Sequence, residues 1–210
     1  GDSARGNITI TGGVRGDFIA GDKHVHEAPA PTVTALHQIP SPPADFTGRE
    51  TEIEELLTAL EDASVTISGL RGMGGVGKTV LALKLAEMIK DRYPDGQFYL
   101  DLLGVSLQPL TTATAMEHVI RAYHPEARLP ESEGELCGMY LSVLHNQRVL
   151  LLMDNVRDRK QVEPLIPPAG CRLLVTSRQY FTLPGIFAKN LDCLPPGDAC
   201  KLLLTIAPRI

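Results

Sequence analysis

From Asp45 onward, apolar positions recur in two alternating rhythms. "DFTGRETEIEELLTALED" carries Ile53, Leu56, Leu57 and Leu60 at helical spacing. Thr47, with Glu50 three residues later, has the form of a capping box, so a helix is expected to start there. "SVTISG" reads as a buried strand. "KTVLALKLAEMIKDRY" returns to the helical period, with Val80, Leu81, Leu85, Met88 and Ile89 on one side. The turn residues "PDG" at 94–96 separate it from a second strand, "QFYLDLLG". Helices are expected around 112–123 and 132–146, then a strand at "RVLLLMDN", a short helix at "DRKQVEPLI", and strands at "CRLLVTSR" and "FAKNLDCL". "PGDACKLLLTI" opens a last helix. Apolar strands alternating with helices predict an α/β fold: a mostly parallel sheet covered on both faces.

The first 44 residues break this rhythm. Residues 1–27 are a Gly/Asp-rich, β-prone tail, and 28–44 carry five prolines and read as an extended linker. The domain proper is expected at 45–210. Composition narrows the function classes. The chain is 43% hydrophobic with net charge −5, and no long basic run suggests a nucleic-acid groove. Its longest apolar run, Val149 to Met153, is far too short for a membrane span. Cys137, Cys171, Cys193 and Cys200 lack paired C-x-x-C spacing and read as buried free thiols. With no signal peptide visible, a cytoplasmic protein is expected. "RGD" at 15–17 is read as accidental, and His24 and His26 as ordinary exposed histidines.

The chemistry gathers at "ISGLRGMGGVGKTVLALKL". Gly72-Met73-Gly74-Gly75-Val76-Gly77-Lys78-Thr79 fits the P-loop pattern G-x-x-x-x-G-K-[ST], between a predicted strand and a predicted helix. A loop that wraps phosphates must turn successive N–H groups inward, at φ values that a Cβ resists and glycine tolerates. The helix that follows offers unpaired N–H groups and a partial positive end. Lys78 adds a point charge for the β/γ-phosphates, and Thr79 a hydroxyl for Mg²⁺. A metal partner belongs on another strand, and Asp154 stands where "VLLLMD" emerges. The next residue is Asn155. An amide orients a water but accepts no proton, and losing a general base typically costs ~10²–10⁴ in rate. Slow hydrolysis is therefore expected unless another base substitutes. "LLVTSR" brings Thr176, Ser177 and Arg178 to the same sheet edge, where Arg178 is expected to contact a γ-phosphate.

These motifs together resemble the NB-ARC branch of the STAND nucleotide-binding switches over roughly 45–210. The matching stretches are "FTGRE" (Phe46 to Glu50), "GMGGVGKT", "LLLMDN", "LLVTSR" and "LPPGDACKLLL". The resemblance implies a three-layer α/β/α P-loop fold with a five-stranded sheet. In it the "LLVTSR" strand separates the P-loop strand from the metal strand. It further implies that Phe46, Gly48 and Arg49 lie near adenine and ribose, and that Val80 closes the phosphate-binding stretch. The aspartate–asparagine pair resembles that of bacterial regulators in the family. Members continue into a small helical domain with a GLPL-like motif and then a winged helix, neither of which is seen before Ile210, so the chain is expected to be a fragment.

The function implied is a switch: ADP-bound off, ATP-bound on, Mg²⁺-dependent, with self-association of the full-length protein as output. "ITGGVRGDFIAGDKHVH" resembles short segments ahead of some bacterial STAND proteins that are proposed to stack with copies on an effector protein. Two rivals stand beside this. A P-loop kinase or phosphotransferase needs a lid with arginines, for which 124–148 offers only Arg128 and Arg148. An interaction module with a vestigial P-loop conflicts with intact Lys78, Thr79 and Asp154.

Overall fold

Eight consecutive residues, Val149–Val156, form the strand that organises the molecule, and all but Asn155 are buried. In the computed structural model, which describes residues 36–61 and 67–207, its side chains split by parity. Val149, Leu151 and Met153 enter one core with Leu173 and Val175, while Leu150 and Leu152 enter a second with Leu174 and Leu70. A strand buried on both faces has no polar side to alternate with, which is why its sequence is a continuous apolar run.

The described elements are α1 (Glu50–Glu61), β1 (Ile67–Arg71), α2 (Lys78–Ile89), β2 (Gly96–Asp101), α3 (Thr112–Tyr123), α4 (Glu133–Leu144), β3 (Val149–Val156), α5 (Arg159–Val162), β4 (Arg172–Ser177), β5 (Ile186–Asn190) and α6 (Pro196–Ile206). The strands form one five-stranded sheet in the order β2-β3-β4-β1-β5, and every pairing is parallel. As expected, β4 lies between β1, which leads into the glycine-rich loop, and β3, which carries Asp154. Helices α1 and α2 cover one face through Leu56, Leu60, Leu81 and Leu85, and α3 and α4 cover the other through Met116, Val119, Ile120, Leu136 and Tyr140. The carboxyl ends of β1, β2, β3 and β4 therefore meet at one edge, where parallel α/β sheets bind ligands.

Tyr140 shows how the second layer is held. It is fully buried, and its hydroxyl donates to the Leu165 carbonyl at 2.9 Å. Tyr140→Phe is expected to lower stability by ~1 kcal/mol, the net value of one buried hydrogen bond, and to shift the melting temperature by about 2–4 °C. A calorimetric scan reads it.

Four details depart from the pattern-based expectation. Thr47 does not cap α1; its hydroxyl donates to the Asp45 carbonyl at 2.9 Å. Gly48 (φ 74°) and Arg49 (φ 71°) are both left-handed, so the helix starts only at Glu50. Met88 is 49% exposed, and Ala82, Leu83 and Ala86 fill the buried side of α2 in its place. Cys193 and Cys200 are exposed and Cys137 is half-buried; of the four free thiols only Cys171 is buried. Finally, the last part of the proline-rich stretch belongs to the folded body. Gln97 on β2 donates to Leu36 O at 2.6 Å and accepts from Gln38 N at 2.7 Å, while Leu36 and Ile39 pack against the two cores. This short parallel bridge covers the outer edge of β2, which would otherwise present unpaired amides. The tail at 1–27 lies outside the described residues.

Candidate functional site

The glycines between β1 and α2 are there for backbone reasons. Gly72, Gly75 and Gly77 have φ values of 148°, 80° and 95°, a region costly for residues with a Cβ. At Gly75 and Gly77 an added Cβ would meet nothing within 4 Å, so conformation and not crowding requires glycine there. Gly77 stands at the N-cap of α2, whose first turn carries no acidic residue. The helix end thus presents free N–H groups to an anion with no carboxylate of its own competing.

Lys78 is 8% exposed and folds over the loop, donating to Gly72 O at 2.9 Å and Met73 O at 2.8 Å. Met73 itself points its side chain outward, 68% exposed. Burial, and then the Arg178 charge, hold the Lys78 ammonium below the ordinary lysine range, with Asp154 opposing them. Arg178 comes from the end of β4, and its guanidinium lies against the loop. A Cβ on Gly74 would sit 3.1 Å from Arg178 Cζ. Two cations thus converge on one cradle, as a polyphosphate site requires.

Asp154 faces them from β3. It is 6% exposed. Thr79 Oγ1 donates to it at 2.8 Å (Oδ1) and 3.0 Å (Oδ2), the Tyr99 hydroxyl donates to Oδ2 at 3.2 Å, and the Thr176 hydroxyl donates to Oδ1. Burial and the Asp154 charge push the Tyr99 phenol well above its ordinary range, so it stays a donor. A hydroxyl and a carboxylate in direct contact are the hard oxygen donors that Mg²⁺ takes, so the side chains present fit that ion.

Next to Asp154 the strand bulges. Pairing with β4 shifts between Met153 and Val156. Asn155 takes a left-handed φ of 56°, which asparagine tolerates better than most residues. Its N–H donates to Thr176 Oγ1 at 2.9 Å, and its Nδ2 reaches Asp101 Oδ1 at 3.4 Å. A cavity of about 360 Å³ is lined by Gly74, Gly75, Gly77, Lys78, Thr79, Val80, Asp101, Asp154, Asn155 and Arg178, among others.

A second cavity, about 300 Å³, adjoins it through Gly75, Gly77 and Val80 and is lined also by Phe46, Arg49, Val76, Leu194, Leu202 and Ile206. Its wall is mostly apolar, the character a purine ring needs. Gly48 does not line it. A Cβ there would lie 3.1 Å from the Asp198 side chain, so Gly48 lets α6 pack close. Arg49 is buried and ties three segments together, donating to Val76 O at 3.1 Å and Asp192 O at 2.5 Å and pairing with Glu52 at 2.7 Å. Arg128 and Arg148 line neither cavity.

Four participants escape the motif reading. Tyr99 and Asp101 share the face of β2 that looks toward the cradle, and Leu202 with Ile206 closes the apolar cavity from α6. For Asp101 a signal exists: "FYLD" repeats the apolar-strand-then-aspartate form of "LLLMD".

The profile of the NB-ARC domain matches residues 49–203. The chain belongs to the NB-ARC family. It is therefore a nucleotide-binding domain of the P-loop NTPases. The regulatory protein AfsR of Streptomyces coelicolor is 39% identical over 85% of this chain, and that of Streptomyces griseus 36% identical over 86%. The probable disease resistance protein RF45 of Arabidopsis thaliana is 30% identical over 64%. The NB-ARC chain spans only 19% of either AfsR protein and 14% of RF45. A solved STAND signal transduction ATPase with a tetratricopeptide repeat sensor, from Pyrococcus horikoshii, superposes with a TM-score of 0.56 at 16% identity. The superposition covers 86% of this chain and 28% of that one, and establishes the shared fold.

Proposed function

We propose that this NB-ARC domain is the ATP/ADP switch of a longer cytoplasmic signalling protein. In this reading Gly72 to Val80 with Phe46 and Arg49 form the nucleotide site, and Gly48 shapes it from behind by letting α6 pack close. Thr79 and Asp154 hold Mg²⁺, which neutralises phosphate charge when bound. Arg178 reads the γ-phosphate. Asn155 follows the metal-binding aspartate where many ATPases carry an acid, so that position supplies no proton acceptor; hydrolysis is slow beside those enzymes, and the bound nucleotide persists as a signal. The full-length protein couples ATP to self-association, and the segment at 1–27 engages an effector protein. The relatives named as regulatory and disease resistance proteins support a signalling role. No helix among the described residues is long and apolar enough to cross a membrane.

The observation that carries this reading is the joining of two unlike cavities at Gly75, Gly77 and Val80, one cationic with a hydroxyl–carboxylate pair, the other apolar. A nucleoside polyphosphate has the same two halves. Arg178 discriminates between the two nucleotides because only ATP places a γ-phosphate toward the β4 end. Arg178→Ala is expected to weaken ATP binding about tenfold, one charged hydrogen bond, and to leave ADP within about twofold. Calorimetric titration with both nucleotides tests it. Equal losses for ATP and ADP would remove the sensing role. Absence of binding by the unaltered protein would remove the nucleotide reading itself.

A further inference from the structure

We propose that Asp101 is the proton acceptor for ATP hydrolysis and that Asn155 aims it. The inference rests on the nucleotide reading above and supplies the base that the residue after Asp154 lacks.

Asp101 ends β2 as Asp154 ends β3, and the two are direct register partners. Both line the 360 Å³ cavity with Lys78, Thr79 and Arg178. Their surroundings differ. Asp154 is buried and accepts three hydroxyls, which suits a fixed metal-binding group. Asp101 is exposed, so a proton it takes has a way out to solvent. Both of its hydrogen bonds fall on Oδ1, from Leu103 N at 2.8 Å and Asn155 Nδ2 at 3.4 Å. Among the described residues Oδ2 accepts none.

Asn155 is held to this task from both sides. Its N–H donates to Thr176 and its carbonyl accepts Gly104 N–H at 2.7 Å. The approach of Gly104 leaves no room for a side chain, since a Cβ would lie 2.3 Å from Asn155 O. The loop after β2 is thereby locked onto the bulge of β3, with Asn155 at a left-handed φ between them. Strained backbone of this kind persists where the surroundings over-determine it, and it concentrates at reacting sites.

In the step, Asp101 Oδ2 removes a proton from water as the water oxygen bonds to the γ-phosphorus. The bond from that phosphorus to the β–γ bridging oxygen breaks, and its electron pair leaves on ADP. Inorganic phosphate and ADP are the products, and Asp101 releases the proton to solvent.

The test uses Asp101→Asn, Asp101→Asn/Asn155→Asp and the unaltered chain, each checked for an unchanged melting temperature. Asp101→Asn is expected to lower kcat by roughly 10²-fold or more, the usual loss for a general base, with MgATP and MgADP affinity within about twofold by calorimetry. The double variant returns an acid to the position after Asp154 and is expected to recover at least tenfold of the rate. Without any nucleotide, the Asn155 side-chain amide resonance is expected to shift in Asp101→Asn. Unchanged turnover in Asp101→Asn overturns the proposal, as does a parallel loss of nucleotide affinity or an unmoved resonance. An unaltered protein that binds ATP and hydrolyses none also overturns it while leaving the switch reading intact. One that binds no nucleotide sinks both.

Discussion

Replacing Lys78 with alanine is expected to weaken both ATP and ADP by roughly 10²–10⁴-fold, taking binding out of calorimetric range. The ammonium sits at the hub of the loop, 8% exposed and within hydrogen-bond distance of two backbone carbonyls. A hydrogen bond to a charged partner is worth about 1.5–3 kcal/mol net, so two phosphate contacts amount to about 3–6 kcal/mol. Each 1.4 kcal/mol is about a factor of ten. The apo protein should lose far less. Burial and Arg178 already disfavour the charged form of Lys78, so its removal relieves a repulsion even as two carbonyls lose a donor. A melting temperature within a few degrees of the parent, together with lost binding, is the expected pair of results. Retained affinity in Lys78→Ala would mean that the glycine-rich loop does not hold phosphates.

The contrast between what the sequence made legible and what it hid follows from how far each feature reaches along the chain. The P-loop is local. Strand, glycine turn and helix N-terminus are contiguous, so Gly72 to Thr79 announce the cradle without knowledge of any other element. The doubly buried β3 is local too, because a strand covered on both faces must be apolar throughout, and its last residue then marks the sheet edge. Arg178 was reachable by the same logic from β4. What stayed hidden depends on strand order. That Tyr99 and Asp101 flank Asp154 follows only once β2 is placed beside β3, and a single sequence does not order parallel strands. The short-range errors have a different cause. Thr47 and Glu50 fit a capping box, but two left-handed residues at Gly48 and Arg49 turn the chain so that Arg49 reaches Val76 and Asp192, and this tertiary tie overrides the cap. Leu36 looked like part of a spacer because proline density outweighs one leucine. The β2 edge, unseen in the sequence, supplies its partners.

Asp154→Ala is expected to abolish the effect of Mg²⁺ on nucleotide affinity without weakening binding in EDTA. The Lys78, Arg178 and loop contacts to phosphate do not pass through this carboxylate, and without the metal its negative charge only opposes the phosphates, so the metal-free affinity has no reason to fall. The metal-dependent gain does pass through it, because Thr79 and Asp154 are the hard oxygen pair at the mouth of the cradle, 2.8 Å apart. Even residues that only orient metal ligands typically change metal affinity ~10–100-fold, so a loss of at least that size in Mg²⁺ is expected. The substitution also strips Thr79, Tyr99 and Thr176 of their shared acceptor. A buried hydroxyl left unsatisfied costs about 1–3 kcal/mol, less where the adjoining cavity admits water, so some thermal destabilisation accompanies the change. That is why the EDTA arm decides the matter. A general loosening of the fold would weaken binding in both conditions alike, whereas loss of a metal ligand makes the Mg²⁺ and EDTA isotherms coincide. If Asp154→Ala still binds more tightly in Mg²⁺ than in EDTA by the parent's ratio, the ion is held elsewhere, and the assignment of β3 as the metal strand fails.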